Sequence, residues 1–367
     1  MKKIVICGGH LTPVLALIEE LKKKKDIEII FFGRKYATEG SKNLSAEYKT
    51  VKNLNIPFYA ISAGRLQRKF TRYTLGALLK IPVGFIQSLA YLIKVRPSAI
   101  VSFGGYLSLP VVFAGWLMGL KSVTHEQSVK LGLANKINAA FAKKVYLSWP
   151  QTVGNLKRDK YKVIGNLTRQ SIFKKTAKDP KIQKFLSSTN KLIFVAGGNQ
   201  GSHFINNLIF EIIPQLFSYQ IIHQVGTANY KGDFDKAKKI KRSNYLAVDY
   251  ISRENIGAIF DRADLVISRS GANTVWDLAV LAKVAILIPL PIAAAGEQEA
   301  NANILENAGS AIILNQKGLT TQILKQKIDY MFKNMPKFQK SAQTFSKTLP
   351  KDSVKIFTSE ILKLIKD

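Results

Sequence analysis

Two segments of the chain join a short apolar run to a glycine turn and then to a helical pattern. The first is IVICGGHLTPVLAL (residues 4–17), and the second is KLIFVAGGNQGSHFINNL (residues 191–208). An apolar run of strand length that ends at glycine and continues as a helix is typical of the first βα unit of a parallel sheet. Because one such unit opens each half of the chain, the sequence predicts two parallel sheets rather than one.

Further apolar runs of strand length follow in both halves, separated by helical patterns. A chain of 367 residues is also longer than a single hydrophobic core usually supports. We therefore predict an α/β protein of two Rossmann-like, doubly wound domains that face a cleft. The predicted domains are residues 1–166 and 167–347, and a last helix within 350–367 packs back on the first domain. The strands predicted for the first half are 3–7, 27–32, 57–61, 99–103, 122–125 and 144–147.

The balance of charge is strongly basic. The chain has 55 Lys and Arg residues against 24 Asp and Glu residues, a formal net charge of +31. Between Glu47 and Asp159 the only acidic residue is Glu126. A field of this sign attracts polyanions such as an anionic membrane surface, a phosphorylated ligand or nucleic acid. A generally lysine-rich proteome would explain many of the lysines equally well, and both explanations stay open.

The segment Gly64–Pro97 is basic, rich in apolar residues and free of acidic ones. Cations beside apolar side chains are typical of a surface that binds the interface of an anionic membrane. The alternative is a core helix with a solvated basic face, which suits residues 83–93 better than the earlier part. The predicted membrane patch consists of Arg65, Arg68, Lys69, Phe70, Arg72, Leu75 and Leu79.

Signals for secretion and for membrane spanning are missing from the sequence. The apolar run after MKK is too short for a secretory signal, and no stretch approaches the roughly 20 apolar residues of a spanning helix. The single cysteine, Cys7, excludes a disulfide framework and a cysteine-based zinc site. We expect a cytoplasmic protein, or one attached to the cell membrane as a peripheral protein on its cytoplasmic face.

Three turns in the second half place small residues at the start of a helix: AGGNQGS (196–202), SRSGANTVWDLA (268–279) and AAAGEQEANAN (293–303). The N–H groups at a helix start favour an anion such as a phosphate, and small residues let it approach. We predict that Ser270 caps the second of these helices and that Asp277 accepts hydrogen bonds from a ribose. Tight turns and solvated helix starts without a ligand explain the same residues, and this alternative stays open.

Polar residues follow the strands of the first half in the same way. FGGYLSLP supplies Tyr106, and THEQSVKLGLANK supplies His125, Glu126 and Gln127. Polar residues are common where a strand ends at the solvent, so most of these side chains need no functional explanation. An isolated acidic residue in a strongly basic half is less common, which makes Glu126 a candidate for function.

Motifs of several other protein classes are missing. The four histidines lack the H-x-x-x-H and H-E-x-x-H spacings of a zinc site. No G-x-x-x-x-G-K-[ST] occurs, so the chain is not a P-loop NTPase. No zinc-finger or RNP motif supports a nucleic-acid partner. We expect neither a metal site nor a cofactor.

Taken in order along the chain, these motifs resemble those of the MurG family of UDP-N-acetylglucosamine transferases. They are GGH followed by Pro13, FGGYLS, HEQ, GLANK, GNLTR, GGNQGS, SRSGANTVWDLA and EQEANA, and they span nearly the whole chain. The resemblance implies a GT-B fold of two Rossmann-like domains. It also implies an inverting transferase that moves GlcNAc from UDP-GlcNAc to undecaprenyl-pyrophosphoryl-MurNAc-pentapeptide, which converts lipid I to lipid II in peptidoglycan synthesis.

The resemblance implies roles for individual residues. His10 would be the catalytic base for the acceptor hydroxyl, since histidine titrates nearest to neutral pH, and Glu126, the second catalytic residue, would orient His10 or the acceptor. The other acceptor-side positions are Gly8, Gly9, Tyr106 and Ser128. In the second domain, residues 271–274 would hold the phosphates, Asp277 the ribose, and Glu297 and Gln298 the GlcNAc. The full set of donor-side positions is Arg169, Asn199, Ile251, Gly271, Ala272, Asn273, Thr274, Asp277, Glu297 and Gln298.

The sequence departs from the family pattern at several positions. The first turn, CGGH, is shorter than the family's G-G-T-G-G-H, and Ser128 replaces the asparagine of H-E-Q-N. Asp277 stands for a glutamate, Asn199 for a serine, and Glu297 for a glutamine or histidine. One alternative is therefore a related transferase that uses another lipid or a soluble acceptor. A second is a basic protein that binds membranes or nucleic acid and has a decayed active site.

Overall fold

The computed structural model describes residues 1–36, 43–62, 64, 72–153, 159–291 and 296–366, with the backbone alone for residues 72–79. The chain divides into two compact units. Unit 1 comprises Met1–Arg169 and Pro350–Asp367, and unit 2 comprises Gln170–Leu349. The boundary predicted after residue 166 lies close to the division after Arg169.

Unit 1 is built on a parallel sheet. Within the described residues its strands are β1 (Lys2–Cys7), β2 (Ile27–Gly33), β3 (Phe58–Ala60), β4 (Ala99–Ser102), β5 (Ser122–Glu126), β6 (Lys144–Leu147) and β7 (Tyr161–Val163). Their order across the sheet is β3-β2-β1-β4-β5-β6-β7. In the register of the central strands, Ile4 of β1 pairs with Ile29 of β2 and Ala99 of β4. These strands read as near-continuous apolar runs because both faces of the sheet are covered.

The helices of unit 1 connect these strands. They are α1 (Leu11–Leu21), α2 (Ala46–Asn53), α3 (Arg72–Val95), α4 (Ser108–Leu117) and α5 (Leu133–Phe141). The helix α1 begins at Leu11, so Pro13 lies in its first turn. Proline is tolerated there because the N–H groups of the first turn make no intrahelical hydrogen bond. None of the helices in the described ranges has the length and hydropathy of a membrane span.

Unit 2 repeats the parallel architecture. Its described strands are β8 (Leu192–Ala196), β9 (Gln220–Gln224), β10 (Tyr245–Val248), β11 (Leu265–Ser268), β12 (Ala285–Leu287) and β13 (Ala311–Ile313). Their order is β10-β9-β8-β11-β12-β13. Its helices are α6 (Pro180–Leu186), α7 (His203–Ile212), α8 (Asp233–Lys239), α9 (Ile256–Arg262), α10 (Ala272–Val280), α11 (Glu297–Asn307), α12 (Thr321–Lys333) and α13 (Met335–Lys347).

The helix α14 (Ser353–Leu364) follows unit 2 in the chain but belongs to unit 1. It packs against α1. Phe357 is fully buried, with ring centroids 4.9 Å from Tyr146 and 5.7 Å from His125. Lys2 Nζ donates to the carbonyl oxygen of Ile365 at 2.6 Å. The core of unit 1 is therefore made from two distant parts of the chain.

The predicted fold class is confirmed, since both units are Rossmann-like with doubly wound parallel sheets. The strand order reverses between β1 and β4 in unit 1 and between β8 and β11 in unit 2. Ligands of such sheets bind beyond the carboxyl ends of the strands, at the point of reversal. Each unit therefore has one edge at which a site is expected.

Candidate functional site

In unit 1 the turns after β1 and β4 pack against each other, backbone to backbone. Gly8 has a φ of 119°, and a Cβ there would lie 2.6 Å from the carbonyl oxygen of Gly104. A Cβ on Gly105, whose φ is 75°, would lie 3.4 Å from the nitrogen of Gly9. Only glycine combines this conformation with so close an approach. The contact between the two turns thus fixes the backbone just before His10, which is the N-cap residue of α1.

His10 contacts Gln127, which follows the last residue of β5. Gln127 Nε2 donates to His10 Nδ1 at 2.7 Å. The glutamine is buried, with 6% of its surface exposed, whereas His10 is exposed. The contact with Gln127 occupies Nδ1, which leaves Nε2 as the ring nitrogen of His10 that no described residue hydrogen-bonds.

Glu126 is buried, and its carboxylate is occupied by its own loop. The backbone N–H of Ser128 donates to Oε1 at 3.0 Å, and the N–H of Gly132 donates to Oε2 at 2.8 Å. Asn135 Nδ2 also donates to Oε2, at 3.0 Å. Glu126 thus fastens the loop that carries Gln127 and Ser128, and the side chain that reaches His10 is Gln127.

Polar side chains behind this loop form a buried network. Thr124 Oγ1 donates to Asn135 Oδ1 at 2.6 Å. A Cβ on Gly104 would lie 2.8 Å from Asn135 Nδ2, so the network fills the space beneath the second glycine turn. His125 Nε2 lies 3.2 Å from the carbonyl oxygen of Gly165. Burial lowers the pKa of His125 to about 4, so this ring is neutral near pH 7. Tyr106, also predicted at the site, is partly buried against the apolar cluster between the sheet, α3 and α4.

In unit 2 the turn after β8 is locked against the turn after β9. Gly201 has a φ of 88°, and a Cβ there would lie 2.1 Å from the carbonyl oxygen of Val225. The carbonyl oxygen of Asn199 accepts the N–H of Thr227 at 3.0 Å. The side chain of Asn199 is left on an exposed turn. The GGNQGS turn therefore has a fixed backbone that presents Asn199 outward.

The helix α10 begins with Gly271 as its N-cap, a residue that has no side chain with which to cap the first turn. The prediction that Ser270 caps this helix is wrong. Ser270 Oγ donates instead to the carbonyl oxygen of Gln298 at 2.8 Å. A Cβ on Gly271 would meet nothing within 4 Å. The helix start is thus open, and its first residues are Ala272, Asn273 and Thr274.

Arg269 lies behind this helix start and ties three turns together. Its Nη1 donates to the carbonyl oxygens of Ile288 and Pro289, at 3.0 and 3.1 Å. Its Nη2 donates to Ser202 Oγ and Gln316 Oε1, each at 2.8 Å. Burial lowers the pKa of Arg269. Among the described residues all of its hydrogen-bond partners are neutral, so the site keeps an uncompensated positive charge.

The remaining predicted donor residues lie in unit 2, apart from Arg169. Asp277 is half-buried on α10, and Glu297 begins α11. Gln298 Oε1 accepts the N–H of Leu290 at 2.9 Å, so part of this amide supports the turn after β12. Ile251, after β10, is buried and donates its N–H to Gln224. Arg169 is the last residue of unit 1 before the division.

Most of the predicted membrane patch lies outside the described residues: Arg65, Arg68, Lys69 and Phe70. Arg72, Leu75 and Leu79 lie in the part of α3 for which the backbone alone is described.

The face formed by α3, α4 and α5 carries large exposed apolar side chains. The helix α4 packs against both α3 and α5, and Phe113 stacks on Trp116 with ring centroids 5.9 Å apart. Lys94 and Lys136 are exposed on the same helices. We call this the apolar helix face; its described exposed apolar side chains are Ile81, Val83, Ile86, Ile93, Phe113, Trp116, Leu117, Leu133 and Ile137.

Two residues at these sites had no role assigned from the sequence, Gln127 and Arg269. Gln127 was only one of several polar groups after a strand, and its contact with His10 joins positions 117 residues apart. Arg269 precedes Gly271 in the SRSG turn, and a cation beside a glycine turn was the available signal. In the described part of the chain, no group of three or more His, Cys, Asp or Glu side chains could hold a metal ion.

Both units match models of one family. The glycosyltransferase family 28 N-terminal domain matches residues 7–147, and the C-terminal domain of that family matches residues 192–355. A protein of Clostridium kluyveri is 31% identical over 371 residues, which cover 100% of this chain and 99% of that protein. Its name is UDP-N-acetylglucosamine–N-acetylmuramyl-(pentapeptide) pyrophosphoryl-undecaprenol N-acetylglucosamine transferase. The protein of the same name from Clostridium perfringens strain SM101 is 33% identical over 345 residues, 92% of each chain.

Solved structures share the fold over the full length. MurG of Acinetobacter baumannii superimposes with a TM-score of 0.75 at 23% identity, covering 99% of this chain and 100% of that one. The UDP-GlcNAc 2-epimerase of Neisseria meningitidis, solved with UDP-GlcNAc bound, has a TM-score of 0.66 at 13% identity. It covers 99% of this chain and 100% of that one.

Proposed function

Because the chain belongs to glycosyltransferase family 28, we propose that it transfers GlcNAc from UDP-GlcNAc to undecaprenyl-pyrophosphoryl-MurNAc-pentapeptide, which makes lipid II from lipid I. The observation that carries this proposal is the full-length similarity to transferases whose names state that reaction, 31% identical over 100% of the chain. The reaction belongs to peptidoglycan synthesis, and the enzyme is a hexosyltransferase.

Unit 2 is the proposed donor domain. The open N-terminus of α10, at Gly271, offers backbone N–H groups and the positive end of the helix dipole to a diphosphate. Arg269 adds a positive charge that no described carboxylate neutralises. Asp277 lies in the second turn of α10 and would accept hydrogen bonds from the ribose hydroxyls. Glu297 and Gln298 would face the GlcNAc. Ile251 and Asn199 would complete the donor contacts, with Arg169 at the division between the units.

Unit 1 is the proposed acceptor domain, and His10 is the proposed base. Its Nε2 would take the proton of the acceptor hydroxyl while that oxygen attacks the anomeric carbon. UDP would leave from the opposite side with the bonding electron pair, so the α-linked donor would give a β-linked product. The charge that grows on UDP would be stabilised by the start of α10. Gly8, Gly9, Tyr106 and Ser128 would shape the acceptor side, and Glu126 would support it through the loop it fastens.

Peripheral attachment to the cytoplasmic face of the cell membrane is the proposed localisation. The apolar helix face would insert among lipid headgroups, because exposed aromatic and aliphatic side chains beside lysines suit an anionic interface. Trp116, 49% exposed, is its largest side chain. The basic residues Arg65, Arg68, Lys69 and Arg72, whose side chains lie outside the described part of the chain, would each add about 1 kcal/mol near an anionic leaflet.

The decisive experiment supplies the purified protein with lipid I and UDP-GlcNAc labelled in the sugar. Label should enter lipid II, and His10→Ala should abolish most of this transfer while UDP still binds. Label that enters a different lipid or a soluble acceptor, and never lipid II, would replace the proposal with a related transferase. Absence of any transfer and of any UDP binding would refute a transferase altogether.

A further inference from the structure

We propose that Gln127 is the positioning residue of His10: it holds the imidazole by Nδ1 so that Nε2 faces the acceptor hydroxyl. This inference rests on the proposed function, because the proton transfer it serves belongs to that reaction. Gln127 touches His10 and acts through it, so its effect should appear in turnover and in the titration of His10.

The first support is the position of the two residues on the sheet. They follow β1 and β5, which are separated by β4, a distance of about 9.6 Å at the usual strand spacing. The 2.7 Å contact between their side chains spans the end of β4. The turn after β4 carries Gly104 and Gly105; a Cβ on Gly104 would meet Asn135, and one on Gly105 would meet Gly9. The contact thus joins two side chains that start from strands on either side of β4.

The second support is the fixed position of the Gln127 backbone, although the terminal amide of its side chain can still turn. It lies between Glu126, whose carboxylate accepts three N–H groups, and Ser128, which donates one of them. Its own side chain is buried, whereas the ring it holds is exposed. An exposed imidazole without a partner rotates among several orientations. A buried and anchored amide at 2.7 Å restricts it to one.

The third support is the match between amide chemistry and the proton transfer. As the amide is oriented, Gln127 Nε2 donates to Nδ1, so the neutral ring carries its proton on Nε2. To accept a proton at Nε2, the ring must carry its own on Nδ1 and face Oε1. Among the described residues Gln127 Oε1 has no hydrogen-bond partner. A half-turn of the amide therefore replaces the bond from Gln127 Nε2 to His10 Nδ1 by a bond from His10 Nδ1–H to Gln127 Oε1. The turn breaks no hydrogen bond of Oε1 to any other described residue.

With Oε1 on Nδ1–H, the step balances. The acceptor hydroxyl gives its proton to Nε2, and its oxygen forms a bond to the anomeric carbon. The bond from that carbon to the diphosphate breaks, and its electron pair leaves with UDP. The imidazolium that results keeps both protons, one of them held by Gln127. A neutral amide thus orients the base without adding a negative charge to a site that must also receive an anionic acceptor.

Two titratable groups of the neighbouring strands, Cys7 and His125, stay uncharged near neutral pH. Burial raises the pKa of the Cys7 thiol, at the end of β1, to about 12, so it stays protonated. His125 stays neutral. The Glu126 carboxylate is held by its three donors, as described above. A change in the titration of His10 on substitution of Gln127 therefore reports on that contact.

The kinetic test combines Gln127→Leu with His10→Ala. Gln127→Leu should lower kcat about tenfold or more with an unchanged KM for UDP-GlcNAc, because orientation serves the transition state. In the His10→Ala background the same substitution should cause no further loss. Equal losses in both backgrounds would overturn the proposal, since Gln127 would then act without His10. Gln220→Leu is the matched control, because Gln220 is also buried and its Oε1 also lacks a described partner. It lies in unit 2, at the amino end of β9, whereas Gln127 follows the carboxyl end of a strand of unit 1.

The second test follows the His10 ring by NMR in the full-length protein, with His10→Ala to assign its signals. In Gln127→Glu a carboxylate faces Nδ1–H and stabilises the imidazolium, so the midpoint should rise by about one pH unit. The acid limb of the kcat/KM profile should move to higher pH by the same amount. An unchanged midpoint would overturn the proposal. Because this titration needs no turnover, it tests the contact even in a protein that makes no lipid II, an outcome that would refute the proposed reaction alone.

Discussion

The Glu126 carboxylate should be a structural clamp for the loop after β5, and Glu126→Gln should reveal this as a loss of stability. A glutamine oxygen in place of Oε2 keeps the bonds from Gly132 and Asn135, but they no longer involve a charge. The amide nitrogen then faces the N–H of Ser128, donor against donor. Hydrogen bonds to charged groups contribute about 1.5–3 kcal/mol each. Losing one and weakening two should lower the free energy of unfolding of unit 1 by about 3 kcal/mol or more.

The assay is equilibrium urea unfolding followed by tryptophan fluorescence in a Trp276→Phe background. This background leaves Trp116 and Trp149, both in unit 1, as the reporters. The control is Glu28→Gln, a partly exposed carboxylate 3.9 Å from Lys3, which should change stability by less than about 0.5 kcal/mol. If Glu126→Gln changes the free energy of unfolding as little as this control does but abolishes turnover, Glu126 acts on the substrate. That result would refute its role as a structural clamp.

Four further predictions concern both units. Asp277→Ala should weaken UDP-GlcNAc binding about tenfold in calorimetry; an unchanged Kd would remove its ribose role. Phe357→Ala should destabilise unit 1 by about 3–5 kcal/mol in the same urea assay, and an unchanged free energy of unfolding of unit 1 would contradict the packing of α14. Trp116→Glu should reduce sedimentation with anionic vesicles while UDP binding stays unchanged; full sedimentation would exclude the apolar helix face as the attachment surface. His125 has a pKa of about 4 in the fold against 6.5 for the free side chain. The unfolded chain therefore binds more protons, and stability should fall as the pH drops from 6.5 towards 4, by about 2 kcal/mol at pH 5. A flat profile over this range would show that His125 is not buried as a neutral ring.

Much of the sheet architecture is predictable because its strands are apolar runs bounded by turns. Residues 144–147 were predicted as a strand and form β6. The strand β7, Tyr161–Val163, was not predicted: its sequence YKV is too short and too polar to stand out, and pairing with β6 defines it. The helix α2 was also missed, since its mean hydropathy is low and its clearest signal is the cap at Ser45, which accepts the N–H of Tyr48.

For the candidate sites, too, some features could be predicted from the sequence and others could not. Glycine turns at strand ends were visible in the sequence, and they lie where the strand order reverses in each sheet. The partners of individual side chains were not visible. Ser270 is a good capping residue by type, yet its hydroxyl is drawn to Gln298 on another helix. His10 pairs with a residue 117 positions away, and periodicity within a segment carries no information on such a contact.

The return of α14 to unit 1 has a consequence for biosynthesis. On the ribosome, residues 1–169 emerge long before the residues of α14, which are translated after the whole of unit 2. Until then the cavity that Phe357 fills between Tyr146 and His125 stays open. The part of unit 1 that is translated first therefore lacks a piece of its core until α14 is made, whereas every residue of unit 2 has been made by then. Vectorial synthesis would thus finish the second unit before the first.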